Sequence, residues 1–206
     1  MKTTCLVWMI FIGVANASQT DSKLAIVSSF VPKGSHICQL ETRAVDTGAL
    51  IFSSPAVFAG SLQSPNASNL AFAYSDQESP NCRNAHIVVL QKKNQTWRLI
   101  ASWAYPDKYL WSQDGKNIGF GLMRLPNHNQ EVLQIITAVG ASLGASVEVM
   151  QWNARTRMFE NIMPTDAEGT RFDTSDGKVI VKDEHPDDTR QSPRVYAYKS
   201  GKFKKE

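Results

Sequence analysis

Residues Glu131–Pro164 read EVLQIITAVGASLGASVEVMQWNARTRMFENIMP. An apolar run, a Gly/Ser loop, a second apolar run, a polar turn and a third run follow one another. Two folds compete for this stretch. Gly140-Ala141-Ser142-Leu143-Gly144 fits G-x-S-x-G, the turn that carries the serine of an α/β-hydrolase between a strand and a helix. The same residues also read as a loop between two strands of a repeated β-unit. Ser146–Trp152, SVEVMQW, alternates as a strand and comes too soon after the loop for the required helix. The upstream half lacks the βαβ alternation of a hydrolase sheet, so the β-repeat is the expectation.

Working outward, the chain begins with a segment that does not read as part of the fold. Lys2, the apolar run Leu6–Val14 and Ala15-Asn16-Ala17 have the order of a secretory signal peptide over 1–17. Nine apolar residues are too few to span a bilayer, and no later apolar run is long enough. Cys5 precedes the apolar core, which is the wrong place for a lipoprotein. Residues 18–206 then form one all-β domain, large enough for a real core. Its net charge is about +2, too mild to imply nucleic acid or an anionic membrane surface. The basic cluster Lys199–Lys205 reads as a solvated tail. Cys38 and Cys82 remain, an even pair that predicts one disulfide in an oxidising compartment. Asn66-Ala67-Ser68 and Asn94-Gln95-Thr96 are sequons, relevant only in a host that glycosylates.

Runs rich in Val, Ile, Phe, Trp and Tyr recur between clusters of Gly, Pro, Asn, Asp and Ser, while helix-spaced windows are scarce. The runs recur at one spacing. A shift of 62 residues lays Leu24–Ser28 over His86–Leu90 and Glu148–Trp152. The same shift relates His36–Thr42, Trp97–Trp103 and Phe159–Met163, then Ala56–Leu62, Ile118–Arg124 and Ile180–Lys182, then Leu70–Tyr74, Val132–Ile136 and Arg194–Tyr198. Ser112–Ile118, SQDGKNI, matches Thr174–Ile180, TSDGKVI, without a gap. The expected architecture is three repeats of about four strands, propeller-like, with a β-trefoil or β-prism as alternatives. Arg194–Lys204 also resembles the hairpin His86–Trp97, a second register with the same all-β outcome. Asp114-Gly115 and Asp176-Gly177 suit tight turns and carry too few oxygen ligands for calcium loops.

Strand–loop–strand–turn–aromatic strand units such as SVEVMQWNARTRMFENI resemble the repeats of secreted FG-GAP/VCBS-type β-propeller proteins. The resemblance covers His86–Trp103 and Ser146–Met163, extends more weakly to Val179–Lys204, and implies a propeller-like scaffold. The acidic D-x-D-G-D-G loop of those repeats is absent, so no calcium site is carried over.

Three places invite chemistry. A hydrolase would use Ser142 with Asp173 or Asp176 and then His185, in the right chain order. Asp183-Glu184-His185-Pro186-Asp187-Asp188 could hold a cation, but it lacks a recognised ligand spacing and reads equally as an exposed acidic loop. Trp103–Trp111, WAYPDKYLW, crowds Trp103, Tyr105, Tyr109 and Trp111 into what reads as a connection between strands. The equivalent stretch one period later, Met163–Asp173, carries only Phe172. A copy-specific excess of amphipathic rings suits contact with protein or carbohydrate, unless the rings complete a core. The expected function is an exported, periplasmic or secreted, non-enzymatic module that binds another envelope or secreted protein, for instance as an inhibitor or immunity protein. The competing expectations are a serine esterase-like hydrolase and a carbohydrate or cell-wall binder. No metal or cofactor is expected.

Overall fold

The computed structural model describes residues 21–43, 47, 50–77, 82–110, 112–113, 116–117, 119–139, 144–175, 177–182 and 192–206. The segment 1–17, read as a signal peptide, lies outside the described residues. A helix, α1, covers residues 21–28. It is followed by β1 (His36–Ile37), β2 (Gln39–Arg43), β3 (Leu50–Pro55), β4 (Val57–Gly60), β5 (Asn69–Ser75), β6 (Arg83–Lys93), β7 (Thr96–Leu110), β8 (Ser112–Gln113) and β9 (Lys116–Asn117). The second half holds β10 (Phe120–Arg124), β11 (Glu131–Ala138), β12 (Ala145–Asn153), β13 (Met158–Asn161), β14 (Glu168–Gly169), β15 (Arg171–Ser175), β16 (Lys178–Lys182), β17 (Arg194–Lys199) and β18 (Lys202–Lys205). The all-β expectation holds: every strand pairing among the described residues is antiparallel.

Consecutive strands pair as meanders. β4–β5–β6–β7 and β10–β11–β12–β13 are joined into one ten-stranded sheet where Tyr109 and Leu110 of β7 pair with Ala138 and Thr137 of β11. β15–β16–β17–β18 form a second sheet, and β3–β2–β9–β8 a small third one. The sheets do not close into a barrel among the described residues.

Side-chain alternation assigns each strand two faces, and the faces build three stacked cores. On β5 and β6, Leu70, Phe72, Val88 and Leu90 point to one side, where α1 covers them with Leu24 and Val27. Ala71, Ala73, Ile87 and Val89 point to the other, against Leu133, Ile135 and Met150 of the second meander. The opposite faces of β11 and β12 present Val132, Ile136, Val147 and Val149 to Val179, Val181, Tyr196 and Phe203 of the last sheet. The order is helix, first meander, second meander, last sheet. This explains why β11, EVLQIITA, is apolar almost throughout: the strand is buried on both faces and alternation is lost. Each fully buried Leu or Ile there contributes about 1.5–3 kcal/mol by leaving water. The one polar side chain buried deepest, Asn69, is satisfied. Its Oδ1 accepts from the Leu62 N–H at 3.0 Å and its Nδ2 donates to the Leu90 carbonyl at 3.2 Å.

Two expectations are corrected here. Leu24–Ser28 belongs to α1 and not to a strand, so the 62-residue correspondence fails at its first member. Leu24 and Val27 have the i, i+3 spacing of one helical face, and the sheet beneath supplies the apolar surface that so short a helix needs. Lys199–Lys205 is not a solvated tail: it spans the β17–β18 hairpin, with Phe203 buried and its N–H donating to the Ile162 carbonyl at 2.9 Å. The predicted disulfide is present. Cys38 and Cys82 have Cα atoms 5.4 Å apart and tie the β1–β2 junction to the start of β6. Closing this loop contributes about 4 kcal/mol in the chain-entropy account.

Candidate functional site

The aromatic stretch is not a connection between strands. Thr96–Leu110 forms a single strand, β7, fifteen residues long. Its partner β6 runs along one edge, from the Lys93–Thr96 closing pair to Arg83–Tyr109. On the other edge β11 pairs only with Tyr109 and Leu110. Between Thr96 and Lys108 that edge meets no strand among the described residues. Alternate backbone N–H and C=O groups there face outward, the geometry that accepts an added strand.

The rings hold the strand rather than decorate it. Trp103 is half-buried and meets Phe159 of β13 edge-on, with ring centroids 5.5 Å apart. Tyr105 is buried at 7% exposure, and its hydroxyl donates to Glu148 Oε2 of β12 at 3.0 Å. Burial, reinforced by the neighbouring Glu148 carboxylate, pushes the Tyr105 hydroxyl well above the ordinary phenol range. Tyr109 is half-buried against the next core, between the second meander and the last sheet, and burial raises its hydroxyl as well. Trp103 and Tyr105 therefore lie in one layer and Tyr109 in another, while Trp111 lies outside the described residues. What β7 shows to solvent is different: Leu99 at 56% exposure, then Ser102 and Ala104. Leu99 pairs with Leu90, so it belongs to the face of the first meander that α1 covers, but beyond the reach of the helix.

The far end of β7 is bent. Asn84 and Asp107 have φ of 54° and 58°, the Asp107 N–H donates to Asn84 Oδ1 at 2.9 Å, and the β6–β7 register shifts between Arg83 and Ala85. Pro106 sits at the same bend and removes a backbone donor from the edge. These devices blunt Pro106–Lys108; a second register shift lies at Leu99–Ala101, and Leu99–Tyr105, LIASWAY, remains an uncharged run on an open edge.

Two concavities lie elsewhere on the molecule, and neither is lined by β7. A cleft of about 850 Å³ opens beside the disulfide, between the chain after α1 (Val31–Ser35), β1 and the ends of β5 and β6. A smaller one of about 280 Å³ lies at the β10–β11 hairpin, lined by Ser61, Arg124, His128 and Glu131. There Glu131 accepts from the Ser61 N–H at 2.8 Å, and His128 Nε2 lies 2.8 Å from the Tyr198 hydroxyl of β17. His128 and Tyr198 are 70 residues apart, so no local sequence signal could have joined them.

The hydrolase residues are not brought together among the described residues. Ser142 and His185 lie outside them, as do Asp176 and the whole acidic run Asp183–Asp188. Asp173 is exposed on β15. Gly144, with φ +77°, leads directly into β12, which pairs back onto β11 through Ala145 and Ala138. A strand therefore follows the loop where the elbow requires a helix. Among the described residues no three His, Cys, Asp or Glu side chains converge to hold a metal ion, and no helix is long and apolar enough to cross a membrane. No protein-family model matches the chain, and no curated protein matches it in sequence.

Proposed function

We propose that this chain is an exported, non-enzymatic module that binds another protein of the envelope or secreted space, taking an extended segment of that partner onto the open edge of β7. The observation that carries the reading is the uncharged run Leu99–Tyr105 on an edge without a strand neighbour among the described residues. Exposed edges are usually short, charged or covered, because their unpaired backbone groups recruit other chains. Proline and acidic charge are confined to the Pro106–Lys108 end, and beyond a second register shift at Leu99–Ala101 the stretch Ala101–Tyr105 pairs with β6 in regular register. Trp103, Tyr105 and Tyr109 serve binding through the strand they anchor, and Leu99 supplies an apolar contact beside the added backbone. An inhibitor or immunity role suits such a surface, since strand addition can occlude a partner's own site.

The Cys38–Cys82 bond supports export, because disulfides persist in oxidising compartments. As to the scaffold, we read the meanders as propeller-like repeats. The starts of β5, β6 and β7 precede those of β11, β12 and β13 by 62 residues each, which supports that reading.

Trp103→Ala would open a cavity against Phe159 and confound folding with binding. The cleaner test is Leu99→Lys with Ser102→Lys, two charges on exposed positions of the edge. Affinity capture of the protein from its own host's exported fraction, with partners identified by mass, should lose its partner with this variant while the circular dichroism spectrum is retained. Undiminished capture by the folded double variant would overturn the assignment.

A further inference from the structure

The last sheet has one buried face and one open one, and the open face is chemically distinctive. Phe172, Val179, Val181, Tyr196 and Phe203 fill the core shared with the second meander. By strand alternation and register, the other face carries Ile180 opposite Val195, and Lys178 opposite Ala197, which in turn lies opposite Lys204. Ile180 and Val195 are half-exposed, and Ala197 is buried at 6% between its lysine neighbours. Lys182, Lys199 and Lys202 extend the rim, β15 adds Arg171 opposite Lys182 and Asp173 opposite Ile180, and all five lysines of this face are exposed. The carboxylates among the described residues from 171 onward are Asp173 and Glu206. Glu206 already bridges Lys199 at 2.9 Å and Lys178 at 3.6 Å.

We propose that this face is a docking surface for an acidic partner protein. An apolar centre ringed by charge is the anatomy of a protein-protein contact, with a dry core and a polar rim. Among the described residues of this face, five exposed lysines against Asp173 and Glu206 set the complementary sign. The half-exposed pair Ile180 and Val195 argues for protein over nucleic acid, whose backbone would use the cations and leave the apolar centre idle. The surface is separate from the β7 edge: it belongs to a different sheet, and variants at Leu99 and Ser102 leave it intact.

The test uses the intact protein and a fluorescein-labelled heptapeptide alternating glutamate and valine, read by anisotropy. Binding should weaken as salt rises from about 0.05 to about 0.3 M. A peptide alternating glutamate and glycine, equal in charge, should bind at least roughly threefold more weakly. Lys182→Glu with Lys204→Glu should weaken the glutamate–valine peptide by roughly tenfold or more. Retention of the near-ultraviolet signal of Tyr196 and Tyr198 will show that the variant is folded. Absence of binding, an unaffected double variant, or tighter competing binding by oligothymidylate or anionic vesicles would each overturn the proposal. The Leu99→Lys, Ser102→Lys variant should bind the peptide as the parent does, so this surface and the β7 edge stand or fall separately.

Discussion

β11 and β16 are both apolar strands inside antiparallel meanders, yet they live differently. In β11 every residue from Val132 to Ala138 is buried, and neighbours point into two different cores. In β16, KVIVK, only Val179 and Val181 are buried, while Lys178 and Lys182 are exposed and Ile180 is half-exposed. The difference is position in the stack. β11 has a sheet on each side, whereas β16 has one on a single side among the described residues. An interior layer erases the period-2 signal that an outer layer preserves.

The contrast can be broken by substitution. Ile135→Ala and Ile136→Ala should each cost about 3–4 kcal/mol in denaturant unfolding, since adjacent residues empty separate cores. Adjacent losses that differ widely would mean that one of the two interfaces is not tightly packed. Next in size is Gly177→Ala, where the outer sheet meets the second meander. The glycine has φ +71°, and an added Cβ would lie 2.1 Å from Pro126 Cδ. A cost of about 2–3 kcal/mol is expected from overpacking and backbone strain. A neutral result would detach the β10–β11 hairpin from the last sheet.

Tyr105→Phe probes the interface between the two meanders, with an expected loss of about 1–2 kcal/mol at neutral pH because Glu148 loses its donor. It also carries a pH signature. Burial raises the Tyr105 pKa above the unfolded value of 10.0, so the folded state holds the proton longer. Its contribution is complete below about pH 10 and falls as pH rises further, because the unfolded chain ionises first. The parent should lose stability above that pH, and Tyr105→Phe should flatten the loss in alkaline unfolding curves. The smallest effect belongs to the outer face: Ile180→Ala should cost less than about 1 kcal/mol. A cost near that of Ile136→Ala would show that another layer covers this face and would end the contrast with β11.

Much of the fold was legible. The all-β class follows from β-branched and aromatic runs between turn residues, and the single disulfide from an even pair of cysteines. Gly177 at a tight turn follows from Asp-Gly, with Ser175 and Lys178 closing the hairpin. α1 is not legible because Leu24–Val27 is a continuous four-residue apolar run that reads as a strand, and only the sheet beneath makes Leu24 and Val27 a helical face. From sequence the strand Thr96–Leu110 ends near Trp103, because Pro106 and Asp107 look like turn residues. In the structure they form a bend inside the strand, with Asp107 secured by Asn84. The Lys199–Lys205 run reads as a tail because charge dominates it, and only the buried Phe203 reveals a strand.

By itself, then, the sequence determined the class of structure, tight turns such as the one at Gly177, and the pair of cysteines that join. These depend on local backbone preference and on the identity of neighbouring residues. Tertiary structure alone decided which faces are buried twice, once or not at all. It turned Trp103 and Tyr105 inward, left Leu99 on an open edge, and gathered five lysines around Ile180 and Val195. The physical reason is that burial belongs to the stacking of layers, and stacking is set by partners that lie far along the chain from the residues they cover.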